Sequence, residues 1–382
     1  MQPAAPELPT SLHAPATPPA SHPRSPARSG PRPVTAARTA GPATPIAALL
    51  AACAAAGTAC GAPTTPATAA PASATSGSAA VTAAAPGTAT AGSPELYGAG
   101  LFTTGAWDFF MAFTPDQRRA LFCRADDEFA RYAILETRLD AAGRWTPPVT
   151  PRFAAEASNA DPHISPDGRR VYFISNRAGD GGAERATYDI WVAALQPSGE
   201  WGAPERLAAP VNDADVDEWS PSIAASGNLY FGAGRPGGHG GSDLWVARWV
   251  GGAYQPPENL GDAINTAGSE VEPWIAPDES YLIFSALQRT DSLGSYDLYL
   301  SRRVAGAWTP ARRLPEPINS RARDFNQSVS PDGRWLYFSS TRPHTGSLGP
   351  RFDAPRDDDA LRGIGDGKTG DIYRVPMSAL GD

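Results

Sequence analysis

Residues 328–342 read SVSPDGRWLYFSSTR, and this stretch decides the fold. It predicts a β-strand ending at Ser330, a tight turn at Pro331-Asp332-Gly333, and a second strand over residues 335–339. Proline presets φ at the first central turn position, aspartate bonds its own backbone, and glycine tolerates positive φ. The same pattern returns upstream. Residues 163–177 read HISPDGRRVYFISNR, residues 222–235 SIAASGNLYFGAGR, and residues 274–289 WIAPDESYLIFSALQR. A weaker copy, AFTPDQRRALFCR, occupies residues 112–124. The chain is a repeat protein.

Each unit carries four strand signals, a to d. Strand a precedes the turn, and strand b follows it with an aromatic run such as Val171-Tyr172-Phe173 or Leu336-Tyr337-Phe338. Strand c opens on Asp189, Asp243, Asp297 or Asp371. Strand d is expected at Gly143-Arg144-Trp145, Gly199-Glu200-Trp201, Gly252-Ala253-Tyr254 and Gly306-Ala307-Trp308. The strand-b residues Phe122, Phe173, Phe231, Phe284 and Phe338 recur every 51 to 58 residues. Four-stranded units at this period mark propeller blades, and no stretch sustains the 3.6-residue period of helices. The units start near residues 108, 159, 218, 270 and 324, and the fifth ends without a strand d. Residues 95–104, ELYGAGLFTT, precede the first strand a and have no partner there, so they are expected to complete the last blade. The fold expected is all-β: a five-bladed antiparallel β-propeller over residues 96–382, closed by an N-terminal strand.

Composition sets the limits of this domain. The first 95 or so residues are almost wholly Ala, Pro, Thr, Ser and Gly, whereas all ten Trp and thirteen Phe follow residue 100. Such a tail has little apolar surface to offset ordering entropy and is expected to be disordered. The net charge of −8, with Lys368 the one lysine, argues against a nucleic-acid footprint. Three cysteines make no disulfide framework, and Cys123, in the strand-b run LFCR, reads as a buried thiol.

The SPDGxxLYFxSxR pattern followed by Asp-Ile-Trp/Tyr resembles the TolB-like, WD40-like propeller repeats of bacterial envelope proteins. It spans residues 97–375. The third unit departs by placing Ala225-Ser226 where Pro-Asp is usual, and the fifth inserts a polar, Gly-rich loop between Arg342 and Asp371. The resemblance implies a fold and an envelope setting, and hardly implies an activity. The run ahead of Cys53, PIAALLAA, has the size of a signal-peptide core, and Leu50-Ala51-Ala52-Cys53 resembles a lipoprotein signal box. Residues 1–53 then form a leader whose translation start is better placed near Val34, Cys53 becomes lipidated, and residues 54–95 form a flexible linker. The expected location is the periplasm or outer membrane, with the membrane reached only through the lipid.

Aligned units expose columns. Asp108, Asn159, Glu218, Glu270 and Asp324 stand ahead of strand a, and Arg177, Arg235, Arg289 and Arg342 stand after strand b. Alternating strand directions bring both columns, and the strand-c aspartates, to one face. Carboxylates beside guanidiniums pin blade ends, and the same groups can meet a ligand or partner. Asymmetric candidates on that face are Trp219, Trp274 and the glycine loop at residues 237–243 with His239 and Ser242. Nucleophile elbows, zinc-protease motifs, phosphate loops and Cys/His metal spacings are absent from the sequence, so no cofactor or metal is expected. The expected role is a non-catalytic, monomeric binding or scaffold module for an envelope protein or a glycan. The alternative is a glycoside hydrolase-like enzyme working through mouth carboxylates drawn from Asp161, Glu218, Glu270 and Glu272.

Overall fold

A computed structural model of the chain describes residues 92–126, 131–179, 182–344 and 364–381. All lie in the compact unit Thr44–Asp382. The leader, Cys53 and the linker to residue 91 fall outside the described residues, as do residues 345–363 of the insert in the fifth unit.

The described residues form five antiparallel blade sheets and one two-stranded hairpin sheet, Trp249–Val250 with Ala253–Tyr254. Blade 1 consists of Trp107–Phe113, Arg119–Ala125 and Tyr132–Arg138, paired in that order, with Val149 bridging Glu136 at its outer edge. Blade 2 runs Asn159–Ile164, Arg170–Ser175, Asp189–Ala194 and Glu205–Arg206. Blade 3 runs Glu218–Ile223, Leu229–Ala233, Asp243–Ala247 and Glu258–Asn259. Blade 4 runs Ser269–Ile275, Tyr281–Leu287 and Asp297–Val304, with Arg312–Arg313 outermost. Blade 5 runs Asp324–Val329, Trp335–Ser340 and Asp371–Pro376. Its fourth strand is Glu95–Leu96, with Glu95 opposite Arg374 and Leu96 opposite Tyr373. Each strand a touches strand a of the next blade, and that of blade 5 touches that of blade 1. The ring is closed, and the chain is a five-bladed β-propeller.

Local chemistry explains the repeat. In blade 5 the turn carries Gly333 at φ 68°, while Asp332 Oδ1 accepts from the Ser330 hydroxyl at 2.5 Å and the Arg334 N–H at 3.1 Å. Ser165–Asp167 and Thr114–Asp116 repeat that bond in blades 2 and 1. Phe122, Phe173, Phe231, Phe284 and Phe338 are all buried, each contributing about 1.5–3 kcal/mol of apolar burial. Asn212, Asn265 and Asn319 tie the d-to-a loops down, each bonding both backbone groups of a strand-c residue: Ile190, Leu244 and Leu298.

One expectation needs correction. The Gly-x-aromatic segments do not form the outer strands. They close the hairpin leaving strand c, with Trp145 bridging Leu139, Trp201 bridging Leu195 and Trp308 opposite Arg303. Pairing with the body of strand c comes several residues later, as in Glu205–Arg206 and Glu258–Asn259. The aromatic sits where the hairpin arm overhangs the sheet, so its strand character is real but peripheral.

Candidate functional site

The two columns meet in blades 2 to 5, and Arg124, which the aligned units did not place in the arginine column, completes the set in blade 1. Arg124 Nε donates to Asp108 at 2.7 Å, Arg177 Nη2 to Asn159 at 2.5 Å and Arg235 Nη2 to Glu218 at 2.6 Å. Arg289 Nη1 donates to Glu270 at 3.1 Å and Arg342 Nη2 to Asp324 at 2.5 Å. Each guanidinium also donates to a carbonyl of the chain entering its own blade, that of Leu101, Phe153, Val211, Ile264 or Ile318. Each lies over the strand-b phenylalanine of its blade, 5.1 to 5.9 Å from the ring centre. Strand a, strand b and the incoming loop are locked by one side chain. Asp108, Glu218, Glu270 and Asp324 are buried in these clamps. Burial pushes the Glu218 carboxyl up, against the pull of Arg235.

The strand-c aspartates cap the b-to-c loops. Asp243 accepts the N–H groups of His239 at 2.6 Å and Gly240 at 3.0 Å, and Asp297 accepts that of Leu293 at 2.6 Å. Asp189 differs, holding both Arg185 and Arg206. The glycine loop is thereby folded onto its own blade and the next one. A Cβ on Gly240 would lie 2.0 Å from the Gly268 carbonyl oxygen, and Gly241 N–H donates to that oxygen at 2.8 Å. His239 bridges Asp243 and Asp262, both of which raise its pKa. Ser242 is buried, and its Oγ has no hydrogen-bond partner among the described residues.

The ring axis carries a feature that the aligned sequences did not reveal. Strand a is bulged in every blade, and at the bulge Phe110, Asp161, Ser220, Glu272 and Asn326 all adopt φ of 50° to 56°. Non-glycine residues rarely adopt this conformation, and bulges re-aim side chains. Four of these five residues line a vestibule of about 50 Å³ on the clamp side of the ring, together with Phe109, Tyr132, Trp219, Tyr296 and Phe325. Asp161 Oδ2 accepts both the N–H and the hydroxyl of Ser220, at 3.1 and 2.8 Å. Glu272 Oε2 accepts the Asn326 N–H at 2.7 Å. Each acid thus bonds to the bulge residue of the following blade.

Burial pushes the Asp161 carboxyl up to about 7, with Ser220 opposing and Glu272 reinforcing. Burial also raises Glu272, opposed by bonds from Ser285 and Asn326 and by the charge of Arg323. Both acids therefore hold protons more readily than surface carboxylates. Of the four candidate carboxylates, Asp161 and Glu272 reach the vestibule, whereas Glu218 and Glu270 are engaged in clamps.

The two tryptophans separate. Trp219 lines the vestibule, tilted against Tyr188 at 5.0 Å, as expected for a mouth residue. Trp274 lines a second cavity, of about 160 Å³, toward the a-to-b turns, with Phe110, His163 and Val329. Trp274 aligns with Ser222, three residues past Trp219, so the bulge carries it past the waist to the other side. There, burial pushes His163 down to about 4. Among the described residues, no group of three or more His, Cys, Asp or Glu is placed to hold a metal ion, and no helix is long and apolar enough to cross a membrane.

Arg323, Asn326 and the tyrosines ahead of strand c were not foreseen as site residues. The signal for the bulge was Asp161-Pro162, Ser220-Pro221 and Glu272-Pro273, since proline inside a central strand position marks a bulge.

The architecture defines the class, a five-bladed β-propeller, and comparison with known proteins goes little further. No family model matches the chain, and no curated protein matches it. Among solved structures it is similar to an α-L-arabinofuranosidase from Lactobacillus brevis, with 12% identity and a TM-score of 0.41, covering 73% of this chain and 92% of that one. A GH43_12 protein retrieved from a capybara gut metagenome shows 10% identity and a TM-score of 0.42, over 74% of this chain and 53% of that one. A gluconolactonase from Xanthomonas campestris shows 14% identity and a TM-score of 0.36, over 64% and 91%. At such identities and TM-scores the likeness carries no argument about activity.

Proposed function

We propose that the chain is a TolB-like binding propeller of the bacterial envelope, without catalytic activity, that receives its ligand or partner at the clamp-side face around the vestibule. One observation supports this above the others. The mouth acids Asp108, Glu218, Glu270 and Asp324 are each held by an arginine of their own blade or by that arginine and a loop hydroxyl, the same bond repeated around the ring as scaffolding requires. Residues 1–53 serve as leader, Cys53 as lipid attachment and residues 54–91 as tether, the strand of blade 5 having claimed Glu95 from the expected linker, with a monomeric domain in the periplasm or at the outer membrane.

The anchor is tested by labelled palmitate. Incorporation into the wild type and not into Cys53→Ser supports it, and no incorporation removes it. Binding is tested by a glycan array and by capture from envelope extracts on the immobilised full chain. A specific glycan or protein retained on the wild type and lost on Trp219→Ala supports the module reading.

A second reading, a carbohydrate-active enzyme, draws on Asp161 and Glu272. Burial pushes Asp161 up to about 7 and raises Glu272 above the ordinary carboxylate value, and both line the vestibule. Turnover of any glycoside by the wild type, abolished in Asp161→Asn or Glu272→Gln with folding intact, would replace the binding reading with this one.

A further inference from the structure

We propose that the vestibule binds a primary alkylammonium group, with its N–H donors on Asp161 Oδ1 and its methylenes against Phe109, Tyr132 and Trp219. This rests on the binding reading and deepens it by naming the class of ligand.

The left-handed backbone at the bulge of blade 2 turns Asp161 into the vestibule, where the residue is 7% exposed. Both bonds from Ser220 fall on Oδ2. Oδ1 accepts no hydrogen bond among the described residues and yet keeps accessible surface. Among those residues the titratable groups that face Asp161 are Cys123 and Tyr132 of blade 1, Tyr188 of blade 2 and Glu272 of blade 4, and none is basic. The other axial acid is balanced. Glu272 feels the charge of Arg323, whose guanidinium is enclosed against Tyr296 and Phe325 at 5.1 and 5.0 Å. The clamp acids are balanced too, each by its own arginine. Asp161 therefore carries the negative charge that the vestibule leaves unanswered.

A buried carboxylate without a counter-charge takes up either a proton or a cation. Burial pushes Asp161 up to about 7, which leaves an ionised fraction at neutral pH for a cation to capture. The walls select which cation. Trp219 stands next to Ser220 in blade 3, and Phe109 and Tyr132 of blade 1 meet edge to face at 6.1 Å, so aromatic rings flank Asp161 from both neighbouring blades. Ring faces attract an ammonium and supply none of the oxygens that a hard metal ion needs. Ser220 spends its hydroxyl proton on Asp161 and keeps its lone pairs, a second acceptor for the ammonium. A volume of about 50 Å³ holds a few water-sized groups, which fits an ammonium on a short methylene arm.

The test is calorimetric titration of the full chain at about pH 8, where Asp161 is mostly ionised. The probes are butylamine, its neutral match 1-butanol, the anion butyrate, tetramethylammonium and Nα-acetyl-lysine amide. Butylammonium should bind at least about tenfold more tightly than 1-butanol, butyrate or tetramethylammonium, which has the charge but no N–H. Asp161→Asn should weaken it by more than about tenfold, and Trp219→Leu, which keeps apolar bulk and loses the ring, by about fivefold. Nα-acetyl-lysine amide separates two sources of the same group: binding as tight as butylammonium assigns it to a lysine side chain, and exclusion to a free amine. Equal affinity for butylammonium and 1-butanol, preference for tetramethylammonium, or unchanged affinity in D161N overturns the proposal. Should D161N fail to fold, unchanged affinity in Trp219→Leu overturns it instead. Butyrate or 1-butanol binding alone would sink the ammonium and leave the binding reading standing. No binding by any probe would also sink the ammonium, while capture on wild type against Trp219→Ala still decides the binding reading.

Discussion

The Arg235 guanidinium meets the Glu218 carboxylate at 2.6 Å inside blade 3, and the same nitrogen reaches the Val211 carbonyl. Glu218 is fully buried. Truncating the arginine leaves that acid without its counter-charge and unties the loop that enters the blade. Arg235→Ala is expected to lower stability by about 3–5 kcal/mol, whereas the pair Arg235→Met with Glu218→Gln should lose clearly less. Urea unfolding of the single and double variants checks this, and equal losses would mean that the clamp is not the unit.

Closure rests on Phe102 as much as on strand pairing. Its ring packs on Phe122 at 5.2 Å and Trp145 at 5.4 Å in blade 1, while Thr103 Oγ1 accepts the Ile372 N–H in blade 5 at 3.0 Å. Phe102→Ala should cost about 3–5 kcal/mol. Removing residues 1–104 should lower the thermal midpoint further, and unchanged unfolding in either variant would contradict closure as the source of stability.

The Asp161 carboxyl, raised to about 7, sets a direction for pH dependence. Between about pH 4 and 7 the folded state binds more protons here than the unfolded chain does, so this contribution is full below the unfolded pKa and fades as pH rises through 7. Asp371 (about 7) acts in the same direction. Asp161→Asn keeps an acceptor for Ser220 and should narrow the drop in stability between pH 5 and pH 8 without abolishing it. Thermal melts at the two pH values decide, and an undiminished drop would show that Asp161 ionises normally.

Cys123 is buried at the centre of strand b in blade 1, and burial pushes its thiol well above the usual range. Thiolate reagents should leave it unmodified in the folded protein and label it after unfolding. Labelling at the same rate in both states would place this strand elsewhere.

Much of this was legible in the chain because blade architecture is local. In blade 2 the Pro-Asp-Gly turn, the aromatic run and the leading aspartate all fall between Pro166 and Asp189, and each acts through backbone chemistry that needs no distant partner. The arginine and acid columns were legible for the same reason, since their partners sit on adjacent strands. The vestibule was not, because it depends on where a bulge turns a side chain. Asp161 and Glu272 stand two residues beyond Asn159 and Glu270, and only the left-handed backbone at each bulge separates an axial acid from a clamped position. Arg323 was passed over for a related reason: it repeats in no other blade, and a column search rewards repetition.

The bond between Glu95 and Arg374 joins residues 279 positions apart. Contacts this distant in sequence slow folding, because a long loop must close before they form. A ribosome releasing this chain exposes Glu95 long before Arg374 exists, so four blades and most of a fifth assemble with an unpaired margin. During that interval the unfinished disc is a template for any extended peptide nearby. An escorting chaperone that shields this margin during synthesis would matter more for this protein than for one whose seam is sealed by neighbouring residues.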